Sequence, residues 1–212
     1  ERGRSGAAMT PEIFGRAIHL PTTNPRERFR IGDGAGSFAR GTTLQGNQFP
    51  TEGDQYLSFM RQVVARYLGT DEYVIAAYIA LLERVGPSVV IAHSQGGAFA
   101  WQVAQRRPDL FRALVLVEPA GTGVAAEAAK LKDVPTILTY GDYAQRDPPR
   151  PLIRRTAAPA AAAARAARRP LYHVDLPSQG IRGNSHMIMM DRNSDAVAEL
   201  VQNWLAARGL WH

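Results

Sequence analysis

The stretch VVIAHSQGGAFAWQVAQRRPDLF, residues 89–111, constrains the fold more than any other part of the chain. Residues 89–92 are a short apolar run, as in a parallel strand buried on both faces. Gly96 and Gly97 follow at once, and residues 98–105 read as a helix that Arg106, Arg107 and Pro108 close. Strand, sharp turn and helix in that order lift the side chain at the turn above the end of a sheet. The residue at that turn is Ser94, in the frame Ala92-His93-Ser94-Gln95-Gly96. Small neighbours let the two arms pass closely, and alanine meets the need nearly as well as glycine. Ser94 is therefore a candidate nucleophile, set against the plainer reading of a polar residue in a turn.

The rest of the chain repeats the alternation. Helical spacing covers residues 54–67, with Leu57, Met60, Val63, Val64 and Tyr67 on one side, and then residues 71–85. Strands are expected at 88–92, 113–117, 135–140 and 171–176, a solvated Ala-rich helix at 157–168, and a C-terminal helix at 193–207. The apolar side of that last helix carries Val197, Leu200, Val201, Trp204 and Leu205. Alternating strands and helices predict an α/β fold, a mostly parallel sheet with flanking helices. Residues 1–50 are rich in Gly, Pro, Arg, Thr and Asn and read as a cap or excursion at the active-site mouth; residues 51–212 read as the core of one domain.

Composition removes other classes. The formal net charge of +6 invites a nucleic-acid reading, but Lys130 and Lys132 are the only lysines and the arginines are scattered without aromatic interleaving. A GC-rich coding bias accounts for the arginine and alanine together, so no nucleic-acid partner is expected. No apolar run approaches the roughly 18 residues of a membrane span. There is no cysteine, hence no disulfide or thiolate-metal site, and no cofactor is expected.

Chemistry in a parallel sheet gathers at the carboxyl ends of its strands. Ser94, Glu118, Asp142 and His186 each fall just after an expected strand. A serine hydroxyl is a weak nucleophile until a base takes its proton, and that base must be oriented by an acid. His186, in the loop PSQGIRGNSH after the last strand, is the base of choice. His93 adjoins the turn and packs there, His173 lies inside a strand, His19 in the irregular segment, and His212 ends the chain. Two carboxylates compete for the acid. Asp142 follows the strand that usually bears it, while Glu118 follows the preceding strand and has an extra methylene of reach.

The residues AHSQGG, VLVEPAG, ILTYGDY and RGNSHMIMMDRNSDAVAELVQNWL make the chain resemble the small group of bacterial α/β-hydrolases around esterase 713. The resemblance implies an α/β-hydrolase fold, carboxylic ester hydrolysis, a homodimer and export from the cytoplasm. It matches the serine to Ser94, the histidine to His186 and the acid to Glu118, with Asp142 as the alternative. On this pattern the Gln95 backbone N–H is one oxyanion donor. The arginine-rich turn at residues 2–5 reads as the end of a turn that follows strand four, so strands one to four and the second donor are expected upstream, continuous with this chain or on a companion chain. A natural Arg/Gly-rich tail is the alternative reading. Met187, Met189 and Met190 line the acyl pocket or pack under the last helix, and His93 is a further pocket candidate. The same constellation also serves an amide, a lactone, a thioester or acyl transfer; a hydrolase-like binding module without catalysis is the reading from another class. Epoxide hydrolases and dehalogenases normally need Asp where Ser94 stands.

Overall fold

In the computed structural model, residues 18, 21, 23–63, 68–121, 131, 133–146, 162, 164–166 and 168–211 are described. The arginine-rich turn at 2–5, His19, Val64, Tyr67, both lysines, most of 157–168 and His212 lie outside them. The described strands form one parallel sheet in the order β1 (Ser88–His93), β2 (Phe111–Val117), β3 (Thr136–Tyr140), β4 (Leu171–Asp175). Register runs Val90 opposite Leu114, Leu116 opposite Leu138, and Leu138 opposite His173. The helices are α1 (Thr23–Arg28), α2 (Ser37–Arg40), α3 (Gln55–Met60), α4 (Asp71–Val85), α5 (Ser94–Arg106) and α6 (Ser194–Ala206).

Strand alternation sends the side chains of β2 to two different cores. Leu114 and Leu116 face α4 and α5, where Ile75, Leu82, Phe99, Trp101 and Val103 pack on them. Ala113 and Val115 face α6 and meet Val201 and Leu205. A central strand buried on both faces must be apolar at every position, which is why residues 113–117 read as an unbroken apolar run. Strand β1 lies at the edge of the described sheet, and Ile91 on it is 61% exposed.

Several boundaries shift from the sequence expectation. Helix α5 begins on Ser94 itself, four residues earlier than the apolar spacing indicates, because the turn and the first helical residue coincide. Strand β2 begins at Phe111, and β4 ends at Asp175, where Leu176 opens a 3-10 turn. Of the expected helix over 54–67, residues 54–63 are described, and among these it is regular over Gln55–Met60. Its buried side is Tyr56, Phe59 and Met60, whereas Leu57 is exposed. Those three pack with Ile31 and Phe49 into a cluster separate from the sheet cores, so aromatic packing against the N-terminal segment sets that face. Within it, burial pushes the Tyr56 phenol up to about 12, and the Arg26 guanidinium lies 4.9 Å over its ring.

Leu116 touches both the sheet core and the line of approach to Gly97. Leu116→Ala is expected to lower folding stability by about 2–5 kcal/mol, read as a fall in the urea midpoint at unchanged slope.

Candidate active site

Four strand-end loops meet above the sheet. Ser94 ends β1 and opens α5 with φ 54°, a left-handed conformation that costs a non-glycine residue free energy and is held only by its surroundings. Part of that hold is the Ala120 N–H, which donates to the Ser94 carbonyl at 2.9 Å. A Cβ on Gly97 would lie 3.0 Å from Pro119 Cβ, so the bare glycine lets the loop after β2 pass beneath α5. Gly96 has no such duty, since a Cβ there would meet nothing within 4 Å. The close passage expected from the sequence thus rests on the second glycine.

His186 arrives from the loop after β4 and is 1% exposed. Its Nδ1 lies 3.2 Å from Glu118 Oε2 and its Nε2 lies 2.8 Å from Ser94 Oγ. An ionised carboxylate only accepts, so Nδ1 carries the proton and Nε2 presents its lone pair to the serine hydroxyl. Glu118 follows β2, is 1% exposed, and also adopts a left-handed backbone, φ 48°. Gly141 donates its N–H to Glu118 Oε1 at 2.5 Å. A Cβ at Gly141 would sit 3.1 Å from that oxygen, so the carboxylate occupies room that only glycine leaves.

Asp142 serves a different end. Its Oδ1 accepts the Tyr143 N–H at 2.8 Å and its Oδ2 the Gly183 N–H at 3.1 Å, which ties the loop after β3 to the loop carrying His186. Of the two candidate acids, the geometry brings Glu118 to the imidazole. His93 donates Nε2–H to the His186 carbonyl at 2.8 Å, and the two rings lie 4.7 Å apart. Gln95 is the second residue of α5, so its N–H belongs to the first turn, whose donors face out along the helix axis. Met187 and Met190 pack on the aromatic cluster around Phe49 and Phe59, and Met189 is exposed. The place under α6 expected for these methionines is taken by Ile188, with Val197 and Leu176.

Four contributors carry no signal that the sequence reading used. Arg30, wholly buried, donates Nη2–H to Glu118 Oε1 at 2.7 Å and Nη1–H to Oε2 at 3.1 Å. The Phe29 carbonyl accepts the His186 N–H at 2.8 Å, and its ring lies 5.2 Å from the imidazole. Gly141 is the third. Asp191 is the fourth: it accepts from the Ser185 N–H at 2.8 Å, from Ser185 Oγ at 2.7 Å and from Asn184 Nδ2 at 3.2 Å, which locks the turn before His186. The spacing Asn184-Ser185-His186 to Asp191 was legible in principle, since a loop of buried polar residues needs a nearby acceptor. Among the described residues no three His, Asp or Glu side chains converge as metal ligands, and no helix is long and apolar enough to cross a membrane.

Ser94, Glu118, Asp142 and His186 lie within residues 69–187, the region that matches the family model described as the alpha/beta hydrolase fold. The chain belongs to the α/β-hydrolase family. It superposes on a structure described as that of a novel bacterial esterase with a TM-score of 0.82 at 24% identity, over 96% of this chain and 61% of that one. It is 28% identical over 199 residues to a fungal protein named "Probable secreted lipase phiG", covering 72% of this chain and 55% of the fungal protein. A shorter stretch of 72 residues is 42% identical to "Lipase LipV" of Mycobacterium tuberculosis, covering 32% of this chain and 26% of that lipase. The chain thus spans little more than half the length of the fungal relative.

Burial raises the Asp191 carboxyl to about 6, against the lowering pull of Ser185. A folded value above the ordinary 3.8 means that the fold binds this proton more tightly than the unfolded chain does. The stabilising contribution is complete below the unfolded value and is lost as pH rises through about 6. Wild type is therefore expected to lose Tm relative to Asp191→Asn as pH rises from about 5 to 7, by on the order of 5 °C. Thermal melts of both proteins across that window check it; parallel Tm curves would contradict the assignment.

Proposed function

We propose that this α/β-hydrolase is a serine carboxylesterase that cleaves its ester through an acyl-enzyme on Ser94. The observation that carries the reading is the unbroken relay from Ser94 Oγ to His186 Nε2 and from His186 Nδ1 to Glu118, at 2.8 and 3.2 Å. Ser94 attacks the ester carbonyl while His186 takes the hydroxyl proton, and Glu118 holds the imidazole in the required tautomer and balances its positive charge. His186 returns the proton to the leaving alkoxide. Water, deprotonated by the same imidazole, then releases the acid. Glu118 is the triad acid and Asp142 a loop tie. The lipase names of two relatives support an ester as substrate.

The Gln95 N–H is proposed as one oxyanion donor, with a second from a polypeptide that pairs with β1. Support comes from the edge position of β1 with Ile91 exposed, and from a fold that matches 61% of the similar esterase chain. On this reading residues 1–50 are the cap or excursion and 51–212 the core of the C-terminal part of one hydrolase domain. The kinship to the esterase 713 group, with its homodimer and export, belongs to the same proposal; the fungal relative's printed description as secreted agrees with export. His93, whose ring lies 4.7 Å from the imidazole, Met187 and Met189 are the proposed pocket residues.

In the full-length protein, Ser94→Ala is expected to abolish fluorophosphonate labelling and hydrolysis of p-nitrophenyl esters. Glu118→Gln is expected to lower turnover by about 10⁴-fold per folded molecule, because the wrong tautomer is then favoured. Asp142→Asn is expected to cost far less. The reverse ranking of Glu118 and Asp142 would transfer the acid to Asp142, and a Ser94→Ala protein that still labels would end the serine-hydrolase reading.

A further inference from the structure

We infer that Arg30 is a positioning residue for the reaction, acting on the imidazole through Glu118. This rests on the reading of Ser94, His186 and Glu118 as the triad. Arg30 lies in the N-terminal segment, 88 residues from Glu118 in sequence, and its side chain is wholly buried. Its guanidinium grips both carboxylate oxygens, at 2.7 and 3.1 Å, while Nε–H donates to the Asp142 carbonyl at 2.8 Å. Asn47 Nδ2 donates to the Arg30 carbonyl at 2.7 Å, and the backbone is held at φ 59°. A buried guanidinium fixed at both ends is a rigid jig for whatever its fork holds.

What it holds is an acid with a long, three-torsion side chain. Gly141 N–H holds Oε1 and His186 Nδ1 meets Oε2, one contact to each oxygen. The two parallel N–H bonds from Arg30 add a charged donor to each oxygen and clamp the carboxylate plane between fixed points. Because arginine stays protonated and offers only donors, the fork also requires the ionised form of Glu118.

Two effects oppose each other here. A guanidinium beside Glu118 weakens the pull that the carboxylate exerts on an imidazolium. If that pull alone governed rate, removing Arg30 would speed the reaction. Without Arg30, however, a carboxylate 1% exposed loses its countercharge and one donor on each oxygen, and is driven to shift from its place or to take up a proton. Either outcome releases the imidazole from its tautomer and its aim at Ser94, and misplacement on the scale of 1 Å costs about 10²-fold. Orientation therefore outweighs the electrostatic loss.

The test uses the full-length protein with p-nitrophenyl butyrate. Arg30→Lys keeps the charge and removes the fork; Arg30→Met removes both. Arg30→Lys is expected to lower kcat at least about 10-fold with KM within about 3-fold, and Arg30→Met to lower it by about 10²-fold. The downfield proton resonance of His186 Nδ1–H, assigned by its loss in Glu118→Gln, is expected to shift or broaden in Arg30→Lys. In the Glu118→Gln background, Arg30→Met is expected to add less than about 3-fold, since the residue it acts through is already disabled. Should Arg30→Met not fold, Arg30→Lys decides by its rate and resonance. Unchanged kcat with an unmoved resonance, or a faster Arg30→Met, would overturn the proposal. Ser94→Ala and Glu118→Gln run alongside: if they keep wild-type turnover the triad falls and Arg30 with it, whereas a responsive triad with an indifferent Arg30 removes Arg30 alone.

Discussion

The carboxylate of Glu118 is the point at which separate parts of the chain are made to agree. It stands after β2 and is met by Gly141 after β3, by His186 after β4 and by Arg30 from the N-terminal segment. A charge taken out of water at this depth survives only when its lone pairs are filled by donors and a countercharge is at hand. The loops are therefore not free to choose their positions one by one. The loop with His186 is tied to Asp142, to Asp191 and to the Phe29 carbonyl. The serine must then present itself where the imidazole already is, and the tight passage of Gly97 over Pro119 puts it there. The parallel sheet supplies the common edge, and the buried ion pair sets the distances along it.

Much of the sheet was legible, and the reason is physical. A parallel strand covered on both faces must be apolar without interruption, so 113–117 announces itself, as does the run before Ser94. Strand-end positions for Ser94 and Glu118 follow from those runs alone. Which of the two carboxylates meets the imidazole did not, because reach depends on a left-handed backbone at Glu118 and on the room left by Gly141. Arg30 was illegible for a different reason: one arginine among many in a stretch without periodicity has no local mark, and its partner is 88 residues away. Helix α3 misled because six residues are too few for a period to declare a face. Of the two readings of the methionines after His186, packing under α6 failed because Ile188 already meets the apolar need there.

Ser94, Glu118 and Arg30 share one more property: each is a non-glycine residue with positive φ. At such positions glycine relieves strain, so selection for stability and selection for chemistry pull in opposite directions. The ion pair divides the three by how they would fare under neutral drift. Loss of Glu118 strands a buried guanidinium, and loss of Arg30 strands a buried carboxylate, so either change is penalised in the folding of the chain before any reaction is considered. Ser94 has no such guard. Were the site to lose its use, Ser94, the proposed nucleophile, could be replaced at no cost to the buried ion pair, whereas neither Glu118 nor Arg30 could be lost singly without one.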